Sequence, residues 1–320
     1  MEELCCKLAV EVNKKSIFFK DSAFKYLVGG ASLVVVAFFT MIFVMLVIRS
    51  YPSIVNDPFM IFGSTWDVNS GIYGGLPAIM GTLASSAIAV VFAIPISLGM
   101  SVFFTEYAPR SVRNALSVVI DMLATIPSVI FGIWGLWIIA PLVKTYVQEP
   151  IVGSIGFIPI FSGPAYGLSL FLASLVLTFM IVPIISSLTI SLLSSTPVEL
   201  REAMISLGAT RWEVVRYVAL PFSKLGIFAA IILALGRALG ETMAVTMVIG
   251  NSFVWPFSSV SLFSPASTIT SKIASELYEA VDVLHVSSLV ELGLILLIIT
   301  LAVNFSARVI ITRISRRNAS

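Results

Sequence analysis

Charge is the scarcest feature of this sequence: 11% of its 320 residues are Asp, Glu, Lys or Arg, against about 25% in a soluble domain. Histidine occurs once, and cysteine is confined to the neighbouring Cys5 and Cys6. Adjacent cysteines cannot staple distant segments, and nothing shows metal-ligand spacing, so free thiols and no metal are expected. One histidine and no pair of aspartates at membrane depth leave no material for an intramembrane enzyme. There is no G-x-x-x-x-G-K-[ST] loop, so any ATP hydrolysis is expected on another chain. No basic run is interleaved with aromatics, and a net charge of +2 is too mild for a nucleic-acid partner. The first 25 residues lack an early apolar core with a small-residue cleavage site, so no cleaved signal peptide is expected.

What fills the chain instead is apolar. Hydrophobic residues make up 58% and the mean hydropathy is +1.04, which makes lipid the expected solvent. Residues 26–48 run without a charge. At about 1.5 Å per residue they reach roughly 34 Å, enough to cross a hydrocarbon layer of about 30 Å. Similar stretches near 76–105, 115–140, 166–193, 225–248 and 286–311 predict an all-α polytopic protein with six transmembrane helices. Pro95, Pro127 and Pro183 fall within the second, third and fourth of these and are expected to kink them.

Six crossings put both termini on one side, and the basic residues choose it. Fifteen Lys and Arg fall on the side of the termini, against Arg49, Lys144 and Lys272 on the other, while Arg237 lies inside the fifth stretch. The termini are therefore expected in the cytoplasm. The expected organisation is a cytoplasmic tail over 1–25, a transmembrane domain over 26–312 and a short cytoplasmic tail over 313–320.

The cytoplasmic segment 196–221 carries the densest punctuation. Thr196 with Glu199 fits a capping box, Pro197 suits the first helical position, and Gly208 suits a terminator. Thr210 with Glu213 repeats the box and opens a second helix, which Pro221 is expected to end or kink. On the short first helix Leu200, Ala203, Met204 and Leu207 share a face, opposite Glu199, Arg201 and Glu202. An amphipathic helix at a membrane boundary invites a partner. Farther along, Arg237 and Glu241 are expected on one face of an apolar helix, with Gly236 and Gly240 as a close-packing G-x-x-x-G beside them. A central Arg costs roughly 2.5–3.5 kcal/mol to insert, which makes the pair a functional candidate. Asp121, His285 and Glu291 are weaker candidates near helix ends, and His285 is expected at the interface.

Glu202-Ala203, Gly208 and Leu220-Pro221 resemble the Glu-Ala-Ala loop of ATP-binding-cassette importer permeases, although Met204 replaces the second alanine. The segments 74–83, 127–132, 236–245, 284–286 and 291–293 resemble PstC-type permease subunits of the bacterial phosphate-specific importers. That resemblance implies a type I importer permease fold in the bacterial inner membrane, forming half of a phosphate pathway without being an enzyme or holding a cofactor. It implies a second, PstA-like permease, two ATPase subunits and an extracytoplasmic phosphate-binding protein as partners, besides the lipid bilayer. It assigns Arg237, Glu241 and Thr242 to the substrate pathway, and Glu202, Ala203, Leu207 and Gly208 to coupling with the ATPase. Residues 51–75 and 250–285 are expected to receive the binding protein. A permease for another oxyanion, sulfate or molybdate, is the alternative, and a signalling role in phosphate sensing leaves no mark in the sequence.

Overall fold

The computed structural model describes the backbone from Glu2 to Ala319, apart from residues 254, 255 and 257–259. Side chains are described outside residues 1–23, 110, 111, 114–117 and 314–320, so Cys5, Cys6, the tail lysines up to Lys20, Arg110, Arg316 and Arg317 lie outside that set. Met1–Arg49 and Ser50–Ser320 form two compact units. The first unit lies within one helix, Glu2–Asn56, whose backbone passes residue 25 without a break. Six helices among the described residues are long and apolar enough to cross a membrane: Phe24–Asn56, Leu76–Tyr107, Ser128–Ile155, Leu170–Ser194, Arg211–Leu239 and Val283–Arg313.

Four of the six agree closely with the apolar stretches. The third does not. Residues 110–125 form a separate helix, Arg110–Thr125, and the crossing begins only after Ile126 and Pro127, which are extended. A proline clashes with a preceding helical conformation, so Pro127 starts the span instead of kinking it. The span then continues through Pro141, Lys144 and Glu149, a region expected to be loop. Asp121 consequently lies on the separate helix, exposed, and accepts a hydrogen bond from Ser187 Oγ at 3.1 Å.

Prolines inside the helices are absorbed in two ways. Pro95 and Pro183 stay within unbroken α-helix, whereas turns of π-helix at Gly135–Ile139, Lys144–Gln148 and Val215–Ala219 each end two residues before a proline, namely Pro141, Pro150 and Pro221. A proline ring displaces the carbonyl four residues back and supplies no donor to it, and the wider turn makes room for both defects. The π-turn Phe103–Tyr107 instead ends the second span, where Ala108 and Pro109 are extended and the Arg113 guanidinium donates to the Thr105 carbonyl at 2.6 Å. Pro221 therefore widens the fifth helix without ending it.

The fourth span is the axis of the second unit, with 72% of its most apolar stretch buried. Its Leu170, Leu172, Val176, Leu177, Ile181 and Ile185 form the main core with small residues of the second and fifth spans. Ala89, Ala93, Ser97 and Ser101 of the second span, four residues apart, are fully buried. Small side chains let two backbones approach in lipid, where no hydrophobic drive separates helix from solvent. Hydroxyls then bond across the seam: Ser97 to the Val182 carbonyl, Ser101 to that of Ser186, and Thr178 to that of Ala89.

The glycine-rich segment at the start of the second span is explained by backbone crossing. A Cβ on Gly81 would lie 2.0 Å from the Ser267 carbonyl oxygen, and one on Gly74 would lie 2.4 Å from the Gly63 carbonyl carbon. Thr82 Oγ1 accepts from the Ile269 amide at 2.9 Å in the same crossing. Gly99, in the same helix, has nothing within 4 Å of that position. Gly81→Ala is expected to lower the thermal stability of the purified protein by about 1–3 kcal/mol, as overpacking does. Gly99→Ala should leave it unchanged, and equal melting of the two variants would contradict the crossing.

Candidate functional site

The fifth span ends inside the protein. Its helix stops at Leu239, Gly240 closes it, and a short helix, Met243–Val248, follows after Glu241 and Thr242. Arg237 and Glu241 therefore do not share one helical face, contrary to the sequence expectation. Gly240 and Thr242 are poor helix formers, and the Glu241 carboxylate accepts from the Ala244 amide at 3.3 Å, capping the short helix in place of pairing with Arg237. The Glu241 carbonyl accepts from Thr270 Oγ1 at 2.7 Å, and Thr242 Oγ1 donates to the Gly240 carbonyl at 3.3 Å. Among the described residues, no helix of this chain packs on the G-x-x-x-G: a Cβ on Gly236 would meet nothing within 4 Å, and one on Gly240 only the carbonyls of Gly236 and Arg237.

The depth of the break follows from its neighbours. Arg237 lines an open cavity of about 580 Å³ with Ile184 and Thr300, residues near the midpoints of the fourth and sixth spans. The short helix returns past Gly132, where a Cβ would meet Met247 and Ala244, and Val248 reaches the start of the fourth span by accepting from the Ser169 amide. Arg237 is exposed to the cavity and, among the described residues, has no hydrogen-bond or ion-pair partner.

Two polar clusters hold the ends of the spans. On the side where the second span starts, Glu276 accepts from Lys272 Nζ at 2.5 Å and from Trp66 Nε1 at 2.9 Å, and lies 3.1 Å from His285 Nε2. Lys272 sits over the rings of Trp66 and Phe253, at 4.8 and 4.6 Å from their centroids. His285 is buried and stacks on Tyr73, so within this cluster at the end of the spans it is a packed residue. Trp66 and Tyr73 are partners in the antiparallel pair Trp66–Asp67 with Ile72–Tyr73. Burial opposes ionisation of Glu276, but the hydrogen bonds from Lys272 and His285, the Lys272 charge and the Trp66 bond together hold its carboxyl below its ordinary value of 4.5. Nearby, Gln148 is fully buried and clasps Gly167 through both its amide oxygen and nitrogen, tying the third span to the fourth.

At the other end the short helix runs Val198–Ser206. The second capping box is formed, Thr210 accepting from the Glu213 amide while Glu213 reaches back to the Thr210 amide. Gly208 has φ +84°, the left-handed turn a terminator needs. The first box is not formed. Pro197 caps this helix, and Thr196 is buried with an unpartnered hydroxyl; Pro197 forces Thr196 away from the geometry in which it would reach the third amide. Glu202, Ala203 and Leu207 are exposed, Leu207 to 84%, and Leu200 and Ile205 join them, while Met204 is half-buried, so most of the apolar face is left open. Arg201 is the exception. It pairs with Glu106, which lies at the end of the second span, and donates to the Leu193 carbonyl at 2.6 Å. Arg211 donates to the Glu106 carbonyl at 3.4 Å. Glu106 has no role legible from its neighbours in sequence, because its partner is 95 residues away and no local pattern encodes such a pair.

Residues 93–320 match the family described as binding-protein-dependent transport system inner membrane component. The chain is 42% identical over 301 residues to the phosphate transport system permease protein PstC of Haemophilus influenzae, covering 92% of this chain and 94% of that one. It is 44% identical over 260 residues to that of Mesorhizobium japonicum, covering 80% and 79%. Among solved structures it resembles a bacterial alginate ABC transporter in complex with an alginate pentasaccharide-bound periplasmic protein, with TM-score 0.58 and 17% identity over 91% of this chain and 97% of that one. It also resembles the MetNI methionine ABC transporter in an inward-facing conformation, with TM-score 0.55 and 19% identity over 74% and 94%. At these identities the solved structures show the fold alone.

Both clusters are testable without reference to activity. Because the Glu276 pKa is lowered by folding, its contribution is complete above about 4.5 and is lost as pH falls through the lowered value. Thermal stability should therefore drop more in the wild type than in Glu276→Gln between pH 6 and pH 3 (roughly the window set by a lowered carboxylate); identical pH profiles would remove the cluster's role. Arg201→Ala strands the Glu106 carboxylate and the Leu193 carbonyl, and should cost about 2 kcal/mol in the same melting experiment.

Proposed function

The chain belongs to the family of phosphate transport system permease proteins of the PstC type, and from that membership we propose how this chain moves its ion and engages its partners. It is a six-span permease subunit of an ATP-driven importer, with ATP hydrolysis on a separate chain. Its substrate is inorganic phosphate; nothing in the site favours sulfate or molybdate. A second, PstA-like permease completes the pathway, two ATPase subunits bind from the cytoplasm, and an extracytoplasmic phosphate-binding protein docks on the opposite face. Both termini are cytoplasmic, the side marked by fifteen basic residues against three. The tails are assigned to 1–25 and 313–320 around a transmembrane domain over 26–312, although helix runs unbroken through both limits.

The observation that carries the pathway is the unpaired Arg237 on a mid-membrane cavity beside a broken helix. Irregular backbone at that depth is tolerated where it is buried in protein or lines water. A guanidinium there holds two oxygens of an oxyanion in parallel. Glu241 and Thr242 form the break itself, so Glu241 fixes the backbone that aims Arg237. ATP-driven closure of the ATPase pair acts through the helix Val198–Ser206 and reaches the second and fourth spans through Arg201.

In the complete transporter, Arg237→Gln and Arg237→Lys should abolish phosphate uptake while leaving assembly and basal ATP turnover. Glu241→Gln should also abolish uptake, by releasing the Ala244 amide and misplacing the break. Wild-type uptake by assembled Arg237→Gln would refute the pathway. Gly208→Val should uncouple ATP turnover from uptake, since a β-branched residue resists φ +84°; wild-type transport by that variant would refute the docking of the short helix.

A further inference from the structure

The cavity that holds Arg237 does not end there. Asn304 lines it, and Asn304 also lines a second cavity of about 540 Å³ that continues between the fifth and sixth spans to Arg308 and Thr312. Thr300, Asn304, Arg308 and Thr312 are spaced four apart on the sixth helix, so they form one stripe along it. At about 1.5 Å per residue the stripe is roughly 18 Å long, comparable to half of a hydrocarbon layer of about 30 Å. It starts at the depth of Arg237 and runs toward the end of the span that carries Arg313.

Polar groups in such a row are costly against lipid tails and are tolerated where they face water or protein. Their state suits a mobile anion. Asn304 spends one amide hydrogen on the Thr300 carbonyl at 2.9 Å, which leaves its second hydrogen to the groove. Arg308 is exposed and, among the described residues, makes no hydrogen bond or ion pair. No carboxylate lines either cavity. An ion leaving Arg237 therefore meets a neutral donor first and a second cation one turn later. That order lowers the barrier to leaving the central site without providing a trap midway.

We infer that this groove is the cytoplasmic exit for the oxyanion, with Asn304 its intermediate ligand and Arg308 its last. The inference rests on Arg237 being in the pathway, and its test separates the two. In a Cys5→Ser, Cys6→Ser background, Asn304→Cys, Arg308→Cys, Arg237→Cys and Ile298→Cys are each placed in the complete transporter in inside-out vesicles. Ile298 is exposed but lines neither cavity. Each is treated with a negatively charged thiosulfonate, with and without inorganic phosphate. The expected result is reaction at 304 and 308, slowed by phosphate, and none at 298. Asn304→Leu should reduce uptake roughly tenfold, the loss of one hydrogen bond to an ion, and Asn304→Gln should restore most of it. Silence at 304 and 308 with reaction at 237 overturns the exit and spares the role of Arg237. Silence at all four positions overturns both. Reaction at 304 and 308 that phosphate does not slow, together with wild-type uptake by Asn304→Leu, also overturns the exit.

Discussion

A peptide group left bare in hydrocarbon costs several kcal/mol, so a chain that breaks a helix at membrane depth must answer every donor and acceptor it frees. The break at Gly240–Thr242 imposes that demand on the rest of the structure. The Glu241 carboxylate takes the Ala244 amide, Thr270 takes the Glu241 carbonyl, and Ser169 and Ala266 take the carbonyls of Val248 and Ile249. These partners come from the fourth span and from the segment before the sixth, which holds those elements around the break. Gly132 lets the short helix Met243–Val248 lie against the third span, and Gly81 lets the backbone at Ser267 cross the second. Three segments that the sequence offers only as separate family motifs, 74–83, 127–132 and 236–245, are thus parts of one enclosure.

The ion pairs sit away from this centre, at the two ends of the spans. Lys272, Glu276 and His285 bind the hairpin at Trp66 and Tyr73 to the start of the sixth span, over aromatic rings that keep the lysine partly desolvated. Arg201 and Glu106 bind the short helix Val198–Ser206 to the ends of the second and fourth spans. Those two spans share the tightest seam in the unit, the stripe from Ala89 to Ser101. The short helix is therefore joined to two spans packed on one another, and the fifth span packs on both.

Much of this was legible in the sequence. Apolar runs place the spans because lipid leaves no other solution, and the box at Thr210 and the turn at Gly208 are local, so spacing suffices to find them. The misplacements share a cause: each depends on what a residue meets elsewhere. Residues 141–155 look like loop because they hold Pro141, Lys144 and Pro150, yet wide turns absorb the prolines and Gln148 finds its partners at Gly167 and Ser169. The stretch from Gly236 to Val248 is apolar apart from Arg237, Glu241 and two threonines, so hydropathy sees one helix where the chain breaks and Glu241 bonds to the start of a second. Thr196 has the right spacing for a cap and the wrong neighbour in Pro197. Glu106 and Arg201 are ordinary boundary charges until the chain brings them together.

The broken helix also changes what the central charge can do. Had Arg237 and Glu241 shared a helical face, the guanidinium would have been answered by a carboxylate one turn away, and an arriving anion would have had to displace it. The break turns the carboxylate onto the Ala244 amide and leaves the guanidinium facing the cavity with its donors unspent. An unpaired cation at that depth is supported by water in the cavity, a cost that falls when an oxyanion takes the water's place. The charge that is costly in an empty cavity is the charge that would draw an oxyanion to it.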